Sequence, residues 1–156
     1  MNTPTPGIAF GNPDDSRNRR ALKALTDLHT ATLDALAGFE TMVEKAEPEF
    51  RPVALQFRDL HANHAMELAE LITHAGGAVD RDGSLMGTIN KVVVSARAFF
   101  DEIDADVMQQ IRSGEDHVLS KFDEAVESPV DASTDARVLA MRDEVKTLLS
   151  QTQDVA

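Results

Sequence analysis

Three histidines and two glutamates lie in the middle of the chain, in the segment from His61 to His74. At about 100° per residue, the apolar residues of this segment form one stripe of a helix, and His64 falls near the centre of that stripe. His61 lies within the stripe, and Glu67 lies along its margin. An ionisable side chain that faces a core must be paired, bind a ligand or cost stability. The segment therefore predicts a polar site within a helical core.

The composition excludes several classes of protein. A chain of 156 residues is long enough for one domain with a sizeable core. Its formal net charge of −12 argues against nucleic acid or an anionic membrane as a partner, because both are negatively charged. The lack of cysteine excludes disulfides and thiolate metal sites. No apolar run approaches the roughly 20 residues of a membrane helix, and no secretory signal is recognisable, so we expect a cytoplasmic protein.

Hydrophobic periodicity predicts an all-α protein with helices over about residues 17–46, 52–75, 84–103, 104–128 and 131–151. Residues 1–15 have no such periodicity and are rich in proline and glycine, which predicts a flexible N-terminal arm. The first four helices, within residues 16–128, predict an up-down-up-down four-helix bundle. Residues 129–156 are expected to add a C-terminal helix that caps the bundle or mediates dimerisation.

The turns between antiparallel helices predict which side chains share a height in this bundle. His29 of the first helix falls level with Glu67, and Glu67 falls level with Glu115 of the fourth helix. His64 lies one helical turn from Glu67. One hypothesis is a metal site with these four side chains as ligands, which suit zinc, ferrous iron or manganese. The other is a buried network of His–Glu pairs that fixes the register of the helices without a ligand.

The two hypotheses predict opposite responses to pH. Without a metal, Glu67 and Glu115 are expected to raise the pKa of His64 above its ordinary value of about 6.5, so that stability fades as the pH rises. With a metal, acid protonates the ligands and releases the ion, so that stability falls as the pH falls. His61 and His74 are expected to have structural roles, at the edge of the face or in water.

Two glycine-containing motifs carry a resemblance to a known family. Gly76-Gly77 precedes Asp82-Gly83-Ser84-Leu85-Met86-Gly87, and Gly114-Glu115-Asp116-His117 follows in the fourth predicted helix. In this order and at these distances they resemble a family of uncharacterised bacterial proteins with a ferritin-like four-helix bundle, over about residues 25–126. The resemblance implies a ferritin-like fold and no assigned activity. This chain departs from the family at Asn90-Lys91, where relatives tend to carry a His-Arg pair.

The wider ferritin-like superfamily holds two irons with a Glu on each of two helices and a Glu-x-x-His on each of the other two. This chain has no Glu-x-x-His, because Glu67 is followed by Glu70 and Glu115 by Val118 at that spacing. A complete di-iron oxidase is therefore not expected.

These observations favour a non-enzymatic ferritin-like bundle that acts through oligomerisation, as a dimer, or through contacts with a protein partner. Its polar core layer would be capable of holding one metal ion, iron or zinc. The alternative is a metal-binding or metal-storage protein, or a degenerate di-iron-type enzyme, that uses His29, His64, Glu67 and Glu115.

Overall fold

A computed structural model describes residues 13–79 and 107–154, and these residues form four α-helices. The helices are α1 (Pro13–Lys45), α2 (Arg51–His74), α3 (Val107–Val126) and α4 (Ala132–Gln151). Within those two ranges there is no strand, which confirms the prediction of an all-α protein. The predicted helix over about residues 84–103, the motif 82–87, the pair 90–91 and residues 1–12 lie outside the described residues. Residues 13–15, expected in the N-terminal arm, belong to α1.

Each of the four helices packs against two neighbours. The helix α1 lies beside α2 and α3, and α4 lies beside α2 and α3 as well. Arg112 near the start of α3 donates to the carbonyl of Gln153 after α4, and Arg142 of α4 pairs with Asp123 of α3 at 2.9 Å. These contacts show that α3 and α4 are antiparallel. The short connection over residues 46–50 makes α1 and α2 antiparallel too.

The C-terminal helix α4 takes a corner of this four-helix arrangement. Arg137 and Glu144 of α4 bind Glu67 and His64 of α2, respectively, so that these two helices are also antiparallel. It follows that α2 and α3 occupy opposite corners and run in the same direction. The sequence treated this helix as an addition to a completed bundle. In the structure its apolar stripe joins the core, where Val145 is fully buried.

Two glycines end α2 in different ways. Gly76 has a φ of 90°, a left-handed conformation that favours glycine, and its N–H donates to the carbonyl of Thr73. Gly77 permits a close approach, because a Cβ there would lie 2.7 Å from a methyl group of Leu22 and 2.8 Å from one of Ile72. Gly76 thus supplies the left-handed residue that follows the C-cap Ala75 at the end of α2.

The core consists of two apolar clusters with polar side chains between them. One cluster contains Leu25, Leu28, Leu68, Phe122, Val138 and Met141 among others. The other contains Phe39, Met42, Phe57, Val107 and Ile111. Along α2 and α3, the buried polar residues His61, His64 and Glu115 fall between the members of the two clusters. None of the described helices is long and apolar enough to cross a membrane.

Candidate functional site

The most deeply buried polar contact joins α2 to α3 across the core. His61 and Glu115 are both 0% exposed, and His61 Nε2 lies 2.8 Å from Glu115 Oε1. A carboxylate can only accept a hydrogen bond, so Nε2 carries the donated proton whenever Glu115 is ionised. The other two polar atoms of the pair, His61 Nδ1 and Glu115 Oε2, are buried without a hydrogen-bond partner among the described residues. Only one of the two polar atoms of each side chain is therefore hydrogen-bonded.

A second histidine–carboxylate pair lies one helical turn away and joins α2 to α4. His64 is buried, and its Nε2 lies 2.6 Å from Oε2 of Glu144, whose side chain is half exposed. Burial lowers the pKa of His64 below its ordinary value, and the hydrogen bond and charge of Glu144 offset only part of that effect. The sequence predicted the opposite direction, because it placed two carboxylates beside His64 and underestimated the cost of desolvation.

Aromatic rings hold both imidazoles in place. The ring of Phe39 from α1 stacks with Phe57 and with His61, at centroid distances of 4.9 and 5.5 Å. The ring of His61 meets His64 edge to face at 6.3 Å, and His64 meets Phe122 of α3 in the same way at 6.1 Å. Offset-stacked and edge-to-face contacts are the favourable arrangements for such rings. The two imidazoles therefore sit in a row of rings that runs through three helices.

Glu67 does not join this buried layer. Its carboxylate makes a bidentate contact with the guanidinium of Arg137, at 2.6 to 3.0 Å, and its side chain remains 38% exposed. The expected approach of Glu67 to Glu115 and to His64 is therefore replaced by pairing with α4. The α1–α2 hairpin predicts the height of Glu67 along the bundle. The side chain itself lies at the edge of the apolar stripe of α2, where Arg137 of the neighbouring helix α4 binds it.

His29 of α1 is buried, as its position in the apolar stripe predicted. Burial lowers the pKa of its imidazole, against the opposing effect of a backbone hydrogen bond with Ala65 of α2. The described contacts of His29 thus involve backbone of α2 and no carboxylate of the layer.

The four predicted metal ligands are divided among separate contacts. Glu115 pairs with His61, His64 with Glu144 and Glu67 with Arg137. Among residues 13–79 and 107–154, no three His, Asp or Glu side chains lie close enough to hold a metal ion as they stand. Metal binding by His29, His64, Glu67 and Glu115 stays a prediction.

The sequence analysis did not predict two members of this buried polar layer, His61 and Glu144. His61 lies within the apolar stripe, but it was expected to have a structural role, at the edge of the face or in water, and not to meet a carboxylate. Glu144 was overlooked because α4 was placed outside the bundle. Its position beside the buried Val145, three residues after the buried Met141, marks it as a side chain at the margin of the α4 stripe. This spacing is the feature of the sequence that indicates the position of Glu144.

The layer has two chemical capacities. Its pairs connect three helices through directional contacts, so that they specify which faces of α2, α3 and α4 meet. Its side chains are also oxygen and nitrogen ligands of the type that zinc and iron accept. The unpartnered Glu115 Oε2, His61 Nδ1 and His64 Nδ1 leave coordinating or hydrogen-bonding capacity unused.

Comparison with known protein families identifies one match, and it covers most of the described residues. A family described as a domain of unknown function (DUF2383) matches residues 20–128. The match includes most of α1 and all of α2 and α3, with Glu115 in α3, and it ends before α4 begins. Curated proteins and solved structures give no match to the chain.

Proposed function

The chain belongs to the DUF2383 family, and we propose that it is a non-enzymatic, ferritin-like bundle protein that acts through oligomerisation or through contacts with a protein partner. The observation that carries this proposal is that the buried carboxylate is closed on a histidine of the same chain. His61 Nε2 and Glu115 Oε1 bind each other, and both side chains are 0% exposed, so a substrate in solution does not reach them in this arrangement. Such a layer organises a core.

The ferritin-like arrangement is supported by the directions of the helices. Neighbouring helices are antiparallel, whereas α2 and α3 run in the same direction at opposite corners. The end of α2 at His74 and the start of α3 at Val107 are therefore at opposite ends of the bundle. Antiparallel neighbours in a set of four helices are typical of four-helix bundles, of which ferritin-like folds are one class.

A dimer or a protein partner fits the surface better than nucleic acid does. The formal net charge of −12 repels phosphate backbones and anionic lipid. Large apolar side chains are also exposed on two adjacent helices, with Met66 of α2 at 68% and Leu139 of α4 at 40% exposure. Contact with another protein would cover them.

Metal binding is the second candidate function, with a ligand set revised by the structure. His61 and His64 project from successive turns of α2 and meet Glu115 from α3 and Glu144 from α4. Two imidazoles and two carboxylates from three helices would suit iron or zinc. Because the two pairs are separate, a metal would have to draw them together, and the unpartnered Glu115 Oε2 is one oxygen that it would use.

Metal content and association state separate the two candidates. The full chain is produced without a tag and analysed for bound metal by mass spectrometry, while sedimentation velocity and cross-linking in the producing cells report association. The proposal predicts far less than one metal per chain, together with a dimer or a reproducible cross-linked partner. About one metal per chain, lost in the His61→Leu variant and retained in a His74→Leu control, would favour the metal protein. A monomer without a partner would contradict the first candidate.

A further inference from the structure

An open groove of about 730 Å³ lies between α2 and α4. Its wall on α2 falls within residues 56–63, and its wall on α4 falls within residues 140–151. The apolar residues of this α2–α4 groove are Leu60, Ala140 and Leu148, and each of them is partly buried. The remaining lining residues are polar or acidic, so the groove combines an apolar floor with a polar border.

Three carboxylates give the border of the α2–α4 groove a negative charge. Asp59 of α2 and both Asp143 and Glu144 of α4 are exposed, so that a partner in solution can reach them. Glu144 is held in place, because its Oε2 lies 2.6 Å from Nε2 of the buried His64. Asp59 contacts the neighbouring Arg58 at 2.8 Å, an exposed pair of the kind that contributes little. No lysine or arginine is found among the described lining residues.

The large apolar side chains that are exposed on α2 and α4 lie next to this groove. Met66 is 68% exposed and follows the lining residue Asn63 by three positions. Leu139 is 40% exposed and precedes Asp143 by four positions. Residues three or four positions apart are neighbours on the surface of a helix. From Gln56 to Met66 the surface therefore extends over about 15 Å, or about three helical turns.

The floor and the border together define the chemistry of an occupant. An inorganic cation would leave the apolar floor uncovered, and a neutral apolar partner would bury the carboxylates without compensation. A second copy of this chain brings a net charge of −12 with it. An amphipathic helix with basic side chains beside its apolar face meets both requirements, since such helices bind by laying the apolar face into a groove.

We propose that the α2–α4 groove binds a basic amphipathic helix of another protein, about three turns long. Its apolar side chains cover the groove floor and Met66, while its lysine or arginine side chains pair with the three carboxylates. This inference rests on the proposed function, contact with a protein partner, and adds the chemistry of that partner.

A labelled peptide of leucine and lysine, about 14 residues long with its leucines at helical spacing, is a suitable probe. One control peptide has glutamate in place of lysine, and another has the same composition in an order that removes the apolar face. Fluorescence anisotropy with the full chain at pH 7 and low salt should show binding of the first peptide. The scrambled peptide should bind about tenfold more weakly, and the glutamate peptide should not bind. Added salt should weaken the binding by screening.

Matched variants at exposed positions locate the peptide. Asp143→Lys should weaken binding about tenfold at low salt, because it replaces an attraction by a repulsion, and much less at high salt. Asp116→Lys, at an exposed position of α3, changes the total charge by the same amount and should have a much smaller effect. Leu139→Gln should weaken binding severalfold at both salt concentrations, since salt does not screen an apolar contact.

Three results would overturn this inference. Equal weakening by Asp143→Lys and Asp116→Lys would show that the peptide responds to the total charge and not to the groove. Equal affinities for the ordered and the scrambled peptide would show that no amphipathic helix is recognised. A lack of binding would show that the groove is closed in solution, including the case in which residues 80–106 or a second copy cover it. The proposed function would survive each of these results if a dimer or a cross-linked partner were found.

Discussion

At the scale of single residues, the contact of His61 with Glu115 is the polar contact of the core whose disruption is expected to lower the free energy of unfolding the most. Both side chains are fully buried, and each would leave the other without its only described partner if it were removed. A buried ion or dipole that loses its partner retains the full cost of its desolvation. Replacement of both by apolar side chains removes that cost together with the contact.

A double-mutant cycle should therefore be strongly non-additive. His61→Leu and Glu115→Leu are each expected to lower the free energy of unfolding by roughly 3–5 kcal/mol, and the double variant should lose far less than the sum. Urea denaturation of the four proteins gives the coupling. The same cycle on the half-exposed Glu67 and Arg137 is the control and should give a much smaller coupling. Additive losses at His61 and Glu115 would contradict a paired core contact.

The buried imidazoles make stability depend on pH. The pKa values of His29 and His64 are lowered by burial, so the unfolded chain binds more protons than the folded chain just below pH 6.5. The stabilisation by the two neutral imidazoles is present above that pH and is lost as the pH falls toward the lowered values. We expect the melting temperature to drop between pH 7.5 and 5.5.

Variants test the source of this pH dependence. His64→Gln should make the melting temperature less sensitive to pH over that interval, while His74→Gln, at an exposed position, should leave the sensitivity as it is. A rise in melting temperature on acidification would contradict the lowered pKa values. Because acid now weakens both the metal-free layer and a metal site, pH no longer separates the two hypotheses. A chelator that lowers the melting temperature at constant pH would still indicate a bound metal.

Periodicity predicted the inward direction of His29, His64 and Glu115, because a helix face follows from residue spacing alone. It did not predict their partners. A contact between helices depends on which helix is adjacent, and an error of one turn exchanges one candidate partner for another. Glu67 illustrates this, since it was placed at the correct margin of α2 and yet meets Arg137 of a helix that was left outside the bundle.

At the scale of elements, the question is whether α4 is an accessory helix or a part of the core. Its N-terminus is well defined, because Asp131 accepts a hydrogen bond from the N–H of Thr134 at 2.7 Å and Asp135 accepts one from the N–H of Val130 at 3.0 Å. The sequence predicted the helix and its apolar stripe. It could not predict where the stripe packs, because four apolar helices already suffice to close a core.

Two substitutions on α4 test its place in the core. Met141 is fully buried in the cluster with Leu68 and Phe122, so Met141→Ala should lower the free energy of unfolding by roughly 2–5 kcal/mol. Leu139 lies on the same helix at 40% exposure, and Leu139→Ala should change it by less than about 1 kcal/mol. Chemical denaturation provides both values. Equal, small effects would show that α4 is accessory to a bundle that is stable without it.

The family match adds a reason to test α4. It ends at residue 128, so the helix that supplies Glu144 to His64 and Arg137 to Glu67 lies beyond the matched region. The polar layer is therefore assembled from matched and unmatched parts of the chain. Loss of α4 would leave His64 without its carboxylate and would expose the apolar side chains that Met141 and Val145 cover.

At the scale of the whole molecule, electrostatics sets the conditions under which two copies can associate. Each chain has a formal net charge of −12, so a dimer brings together two negatively charged surfaces. Salt screens that repulsion, since the Debye length falls from about 30 Å at 0.01 M to about 8 Å at 0.15 M. The apolar contribution of residues such as Met66 is not weakened by the same change.

Self-association should therefore strengthen as salt is added. We expect sedimentation equilibrium at 0.02 M and 0.3 M sodium chloride to show a higher fraction of dimer at the higher concentration, over a dilution series of the full chain. Met66→Gln should weaken the dimer at both concentrations if the exposed face of α2 contributes to it, whereas Asn63→Gln, a polar substitution on the same helix, should not. A dimer that dissociates on addition of salt would require an interface of opposite charges. A chain that remains monomeric in all these conditions would rule out the homodimer and leave a different protein as the partner.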